Sequence, residues 1–273
     1  MLRWRLRVSL TSMVLPAPLT TLPVERLCAG LATFTTTLAS MVGRNDQDLR
    51  IPACPDWTLR QLATHVGRAH RWAAEIVGTR SAEFIEFRSV PDGKSPPGAE
   101  GQAAWLTAGA SRFIDAVSAA GDDRVWAFTA LAPARFWARR MAHETLVHMA
   151  DVQLAVGDVA DIPADLATDA IDEWLTVMSP LNAGGNDLAS VIPAGTAMAV
   201  RVTGPVAAAD WLVRHMPGGV QVLTGPARGD VTLAGPASDV LLALMRRIPI
   251  TTPSVQVSGE AKLLDRWLTL TAF

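Results

Sequence analysis

The period of the hydrophobic pattern changes near residue 158, and no other feature of the sequence constrains the fold as much. Before it, apolar residues recur at the 3.6-residue spacing of helices. After it, they alternate with polar residues at the two-residue spacing of half-buried strands. A chain patterned this way is α+β overall, with a helical part followed by a smaller mixed part.

Four helices are expected in the first part. One runs from Pro23 to Val42 and stops near Gly43. A second opens at Thr58, with Gln61 three residues on in the pattern of a capping box, and reaches Val77. Residues 90–101 are rich in Pro and Gly and read as a loop. Helices then follow over about residues 102–120 and 134–156, the last stopped by Gly157. Four such helices with modest connections predict a bundle.

In the second part a helix over about residues 165–178 precedes alternating runs: Met198-Ala-Val-Arg-Val-Thr, Gly219-Val-Gln-Val-Leu-Thr, Asp230-Val-Thr-Leu-Ala and Ser254-Val-Gln-Val-Ser. These predict strands of a largely antiparallel sheet. Helices expected near residues 237–247 and 261–270 cover one face of it. The expected division is therefore 20–160 for the bundle and 161–273 for the α+β domain. Residues 1–19 read as a poorly ordered or mis-assigned start. Their arginines and short apolar run resemble a weak export signal, but Ser9, Thr11 and Ser12 interrupt it, and Met13 offers an alternative start.

A net charge of -2 with basic and acidic residues interspersed gives no electrostatic case for nucleic acid or an anionic membrane. A small molecule is the expected partner, and a monomer or weak homodimer the expected state. Two cysteines, Cys28 and Cys54, are too few for a disulfide framework and suit a reducing cytoplasm. Cys28 reads as core and Cys54 as part of a tight turn.

The chemistry is concentrated on two helices. On the fourth, Trp137, Met141, Val152 and Ala155 share one apolar stripe, and Glu144 and His148 fall within it, four residues apart. On the second, Leu62, Val66, Ala69, Ala73 and Ile76 form the stripe and His65 sits beside them. Polar groups on a buried face are costly unless partnered. Two imidazoles and a carboxylate are ligands that zinc takes, and three protein ligands leave a fourth position open. The same spacing also suits an ordinary ion pair and a core histidine, so spacing alone leaves both readings open. Asp151 could orient His148 or face solvent at the rim. His70 and His143 lie off the stripes and are expected at solvent or an edge.

The segments Pro52-Ala-Cys-Pro-Asp-Trp-Thr-Leu-Arg-Gln-Leu-Ala-Thr-His65 and Arg139-Arg-Met-Ala-His-Glu144-Thr-Leu-Val-His148-Met-Ala-Asp151 resemble the mycothiol-dependent maleylpyruvate isomerase family. That family lies within the DinB/YfiT-like superfamily of metal-binding four-helix bundles. The resemblance covers nearly the whole chain and implies a C-terminal domain with a sterol-carrier-like fold. It implies that His65, Glu144 and His148 hold zinc or another divalent metal, and that mycothiol is the thiol co-substrate. Leu244-Met-Arg-Arg247 stands where many members have Leu-Trp-Gly-Arg, which makes Arg247 a catalytic, anion-binding candidate. Met245 and Arg246 depart from that pattern, and a solvated helix end is the alternative for Arg247. Arg139 and Arg140 also match, or serve only as surface ion pairs. The function implied is a zinc- and thiol-dependent isomerase or S-transferase acting on a small unsaturated or electrophilic acid. A zinc hydrolase and a non-catalytic metal- and ligand-binding protein are the alternatives.

Overall fold

The computed structural model describes residues 22–128, 130–179, 191–205, 208–216, 219–226 and 228–272. The expectation for residues 1–19 lies outside them. The chain divides into two units, which meet in sequence at Asp161 and Ile162.

The first unit is a bundle of α1 (Val24–Arg44), α2 (Leu59–Gly78), α3 (Ala99–Ala120) and α4 (Arg135–Ala155). Its interior is filled by Leu31 and Leu38 from α1, Leu62, Val66 and Ile76 from α2, Leu106 and Phe113 from α3, and Trp137 and Met141 from α4. α2 packs on α3, and α4 on α1 and α2. The expected capping box is present, with the Thr58 amide donating to Gln61 Oε1 at 2.8 Å. Two short antiparallel pairs were not legible in the pattern: β1 (Arg50–Ile51) with β2 (Cys54–Thr58), and β3 (Arg124–Ala127) with β4 (Ala130–Pro133). β2 runs straight into the N-terminus of α2, which holds the Trp57 ring beside His65 of that helix.

A close approach of α2 to α3 depends on Gly67. A Cβ there would lie 2.1 Å from the Trp105 ring. On α3, Gly109 leaves the room in which Arg71 lies buried, since a Cβ there would lie 2.3 Å from its Nη1, and the guanidinium sits 4.1 Å from the Trp105 ring centre. From there it donates to the Trp105 carbonyl at 2.9 Å and to Asp92 at 2.9 Å, which ties the connection before α3 to the bundle. Gly67→Ala is expected to destabilise the protein by about 1–3 kcal/mol, since the ring is held in place and has to move. Urea unfolding measures this, and an unchanged midpoint would show that the ring yields freely.

The second unit begins with α5 (Ala164–Glu173), which continues through π-type turns over Trp174–Met178. Its sheet is built from β5 (Ala197–Val202), β6 (Ala209–Met216), β7 (Gly219–Thr224), β8 (Val231–Gly235) and β9 (Gln256–Gly259), in the order β7-β6-β5-β8-β9. All pairs are antiparallel except β5 with β8. Met198, Val200, Trp211, Val213, Val231 and Leu233 point to the buried face, as the period-two pattern requires. α6 (Ala237–Leu244) packs on β5, β8 and α5, while α7 (Ala261–Leu270) packs on β8. β6 was not anticipated from the sequence. Its Trp211-Leu-Val run hides the alternation, because Leu212 is only half-buried while its neighbours are fully so. Among the described residues, no helix is long and apolar enough to cross a membrane.

Candidate metal centre

α2 brings His65 on its second turn to face Glu144 and His148, one turn apart on α4. Their ligand atoms all lie within 4.8 Å of one another. His65 Nε2 is 2.7 Å from Glu144 Oε1, and His148 Nε2 is 3.4 Å from the same oxygen. The other carboxylate oxygen, Oε2, is paired with the Arg140 guanidinium. The side chains of His65 and Glu144 are 15% and 14% exposed and that of His148 only 4%, so the centre is largely enclosed, with partial exposure at His65 and Glu144.

A further layer surrounds these three. His148 Nδ1 is 2.9 Å from Asp151 Oδ2, and Asp151 is buried. The Cys54 thiol donates to the same oxygen at 3.9 Å. The Trp57 ring lies 4.8 Å from the His65 ring and 5.8 Å from the His148 ring, closing over both.

The electrostatics follow from this packing. Burial disfavours the charged form of Glu144, but Arg140 and the hydrogen bonds from His148 and His65 outweigh it and hold its carboxyl well below the usual carboxylate range. Burial likewise opposes charge on His148, yet the bonds to Asp151 and Glu144 prevail and raise it to about 9. For His65, burial wins over the pull of Glu144 and lowers its pKa.

The donor set fits a divalent metal. Zinc at about 2.0–2.2 Å from tetrahedral ligands sets neighbouring ligand atoms roughly 3.3–3.5 Å apart. The His148–Glu144 separation of 3.4 Å already meets that spacing, and the His65–Glu144 hydrogen bond of 2.7 Å has to lengthen by about 0.6–0.8 Å through side-chain rotation. Asp151 accepts from Nδ1 of His148, which aims Nε2 at the centre and fixes the ring, the usual support for a metal-bound imidazole. Asp151→Asn is expected to weaken metal binding by about 10–100-fold. Competition with a chromophoric chelator measures it, and unchanged affinity would remove Asp151 from the site.

Several expectations change. His70 and His143 are not at solvent or an edge; both are buried, because α2 is enclosed on all sides from Ala69 to Ala74 and α4 almost all round between Trp137 and Val152. His70 Nε2 meets Thr145 Oγ1 at 2.8 Å in the bundle interior. Arg139 and Arg140 are buried too, so neither is a surface ion pair. Asp151 orients His148 and is not a rim acid. Cys54 is half-buried within the cluster, at the start of β2 just past the turn. Arg247 lies just past α6, where its Nη1 donates to the Met245 carbonyl at 2.8 Å. The role of Arg140 was open to sequence reasoning, since it stands four residues before Glu144 on the same helix face.

A four-helix bundle whose facing helices converge two imidazoles and a carboxylate on one point is a frame of the kind in which metal sites are built. Residues 28–153 match the mycothiol maleylpyruvate isomerase N-terminal domain, and residues 165–266 match the MDMPI C-terminal domain. The chain belongs to the mycothiol maleylpyruvate isomerase family. Two crystal structures share its fold, one of the mycothiol-dependent maleylpyruvate isomerase and one of a histidine-to-alanine mutant of that enzyme. Each is similar over 88% of this chain and 95% of its own, with a TM-score of 0.54 and sequence identities of 15% and 14%. No curated protein matches the sequence.

Proposed function

We propose that this chain is a zinc-dependent isomerase that uses a low-molecular-weight thiol, mycothiol, on a small unsaturated acid of the maleylpyruvate type. The observation that carries the proposal is the convergence of His65, Glu144 and His148 within 4.8 Å, in a centre where His65 and Glu144 keep partial exposure. Membership of the family supports the thiol and the reaction class. S-transfer to an electrophilic acid is the close variant, because it begins with the same nucleophile.

His65, Glu144 and His148 would hold the metal, and the metal when bound would favour the thiolate form of a thiol at neutral pH. The chain's own residues supply the rest. Asp151 keeps the His148 ring in one orientation. Arg140 keeps Glu144 ionised, so the site retains a negative ligand. Trp57 covers the two imidazoles and limits the entry of water. The thiolate sulfur adds to one carbon of the cis double bond, and the π electrons move into the conjugated carbonyl. Rotation follows about the new single bond. The electrons then return, the carbon–sulfur bond breaks, and the trans alkene and the thiolate are regenerated. No protein cysteine is consumed.

Arg247 is the proposed anion-binding group for a substrate carboxylate. Its replacement by methionine is expected to raise KM by about 10–100-fold, the worth of one hydrogen bond to a charged group. Residues 20–160 and 161–273 are the proposed domains.

The test is metal content by mass spectrometry together with turnover of maleylpyruvate with and without mycothiol. About one zinc per chain is expected for a single three-ligand site, with turnover only when thiol is present. Thiol-independent cleavage of the acid by water would replace the reading with a hydrolase. Bound metal with no turnover on any thiol would replace it with a binding protein.

A further inference from the structure

We propose that Arg140 is a positioning residue that keeps Glu144 a one-oxygen ligand, and so keeps a coordination position open at the metal. The inference rests on the metal site proposed above and concerns what that site would otherwise lose. A carboxylate can offer a metal one oxygen or both. If Glu144 offered both, it would fill with protein the position that an incoming thiol needs.

The geometry separates the two oxygens of Glu144. Oε1 is the atom approached by both imidazoles, at 2.7 Å from His65 Nε2 and 3.4 Å from His148 Nε2. Oε2 is turned the other way, onto the Arg140 guanidinium. Arg140 stands one helical turn before Glu144, so the two side chains project from the same face of α4. Its side chain is 6% exposed, which deprives it of the freedom of a surface arginine to swing into water. A guanidinium also presents its donors in a rigid plane and stays charged throughout the range in which proteins fold. Of the three ligands, His148 is already fixed through its second nitrogen by Asp151, and His65 is flanked by the Trp57 ring. Glu144 is the one with a second donor atom that could rotate inward, and Arg140 is the group that holds that atom away.

X-ray absorption on the zinc-loaded wild-type protein is the first test. It is expected to show two imidazole nitrogens and a single carboxylate oxygen from the protein; two carboxylate oxygens would overturn the inference. The second test compares the cobalt-substituted wild type with Arg140→Met. The wild type is expected to give the intense visible absorption of a four-coordinate ion, and the variant the weaker bands of a higher-coordinate one. Titration with 2-mercaptoethanol, followed by the same bands, is expected to show about tenfold weaker thiol binding in the variant, a change of about 1.4 kcal/mol. Arg140→Lys, which keeps a charged donor, is expected to restore both signals. Identical spectra and thiol affinities for the wild type and Arg140→Met would overturn the inference. If Arg140→Met does not fold, the wild-type absorption measurement still decides. A protein that takes up no metal overturns both this inference and the metal site beneath it, whereas metal bound through both carboxylate oxygens overturns this inference alone.

Discussion

His148→Ala is expected to lower metal affinity by well over about 100-fold while leaving the helical content unchanged. Loss of a supporting partner in the outer layer of a metal site costs about 10–100-fold, and His148 is a direct ligand in the proposed centre, so its loss has to exceed that range. It would leave His65 and Glu144 as the remaining pair, with one imidazole and one carboxylate oxygen near the metal. The helix itself does not depend on the residue. α4 is held by Trp137, Ala138, Met141, Leu146 and Val152, all of them buried, and alanine is the best helix former. Calorimetric titration with zinc and far-ultraviolet circular dichroism on the same sample separate the two effects. Metal retained at wild-type affinity would remove His148 from the centre, and a loss of helix would show instead that the residue is structural.

The parts of this molecule that were legible in its sequence are those where burial is one-sided. α2 has a clear apolar stripe and a capping box, and its start at Thr58 was readable from Gln61 three residues on. The stripes on α2 and α4 also marked His65, Glu144 and His148 as polar groups in apolar company, which is how the trio could be found without coordinates. The same logic failed for His70, His143, Arg139 and Arg140. A stripe assumes that the opposite face of the helix is wet, but α4 is buried nearly all round and α2 is buried on every side from Ala69 to Ala74, so distance from the stripe carried no information about exposure. The short ribbons β1–β2 and β3–β4 were invisible for a different reason. Their strands, Arg50–Ile51, Cys54–Thr58, Arg124–Ala127 and Ala130–Pro133, lack the alternation of polar and β-branched residues that reveals strands of similar length elsewhere in the chain. The second unit shows the middle case: β5, β7, β8 and β9 alternate visibly, whereas the Trp-Leu-Val run of β6 shows its alternation only once burial is known.

Acid is expected to destabilise the protein by about 3 kcal/mol between pH 6.5 and 4 through His70 alone. Its ring is fully buried on α2, with Nε2 against Thr145 Oγ1 of α4. Burial, reinforced by the neighbouring Arg71 charge and by His65, lowers its pKa to about 4, while Glu144 across the interface pulls weakly the other way. In the unfolded chain an unhindered histidine titrates near 6.5. Between these two values the unfolded state binds a proton that the folded state refuses. Stability is therefore complete above about pH 6.5 and declines as pH falls toward 4, by about 1.4 kcal/mol for each unit separating the two pKa values. In the metal-free protein His148 works in the opposite sense and in another window. Its raised pKa of about 9 favours the folded state below 6.5, and that gain is lost as pH rises through 9. The two histidines thus bracket the range of greatest stability from opposite sides. His70→Gln keeps a donor for Thr145 and cannot titrate, so its unfolding free energy is expected to fall less steeply than the wild type's over this acid interval. Contributions from Glu144 and His148 are present in both proteins and cancel in the difference. Parallel urea-unfolding series at several pH values measure that difference, and superimposable slopes would show that His70 takes up its proton as readily in the folded protein as in water.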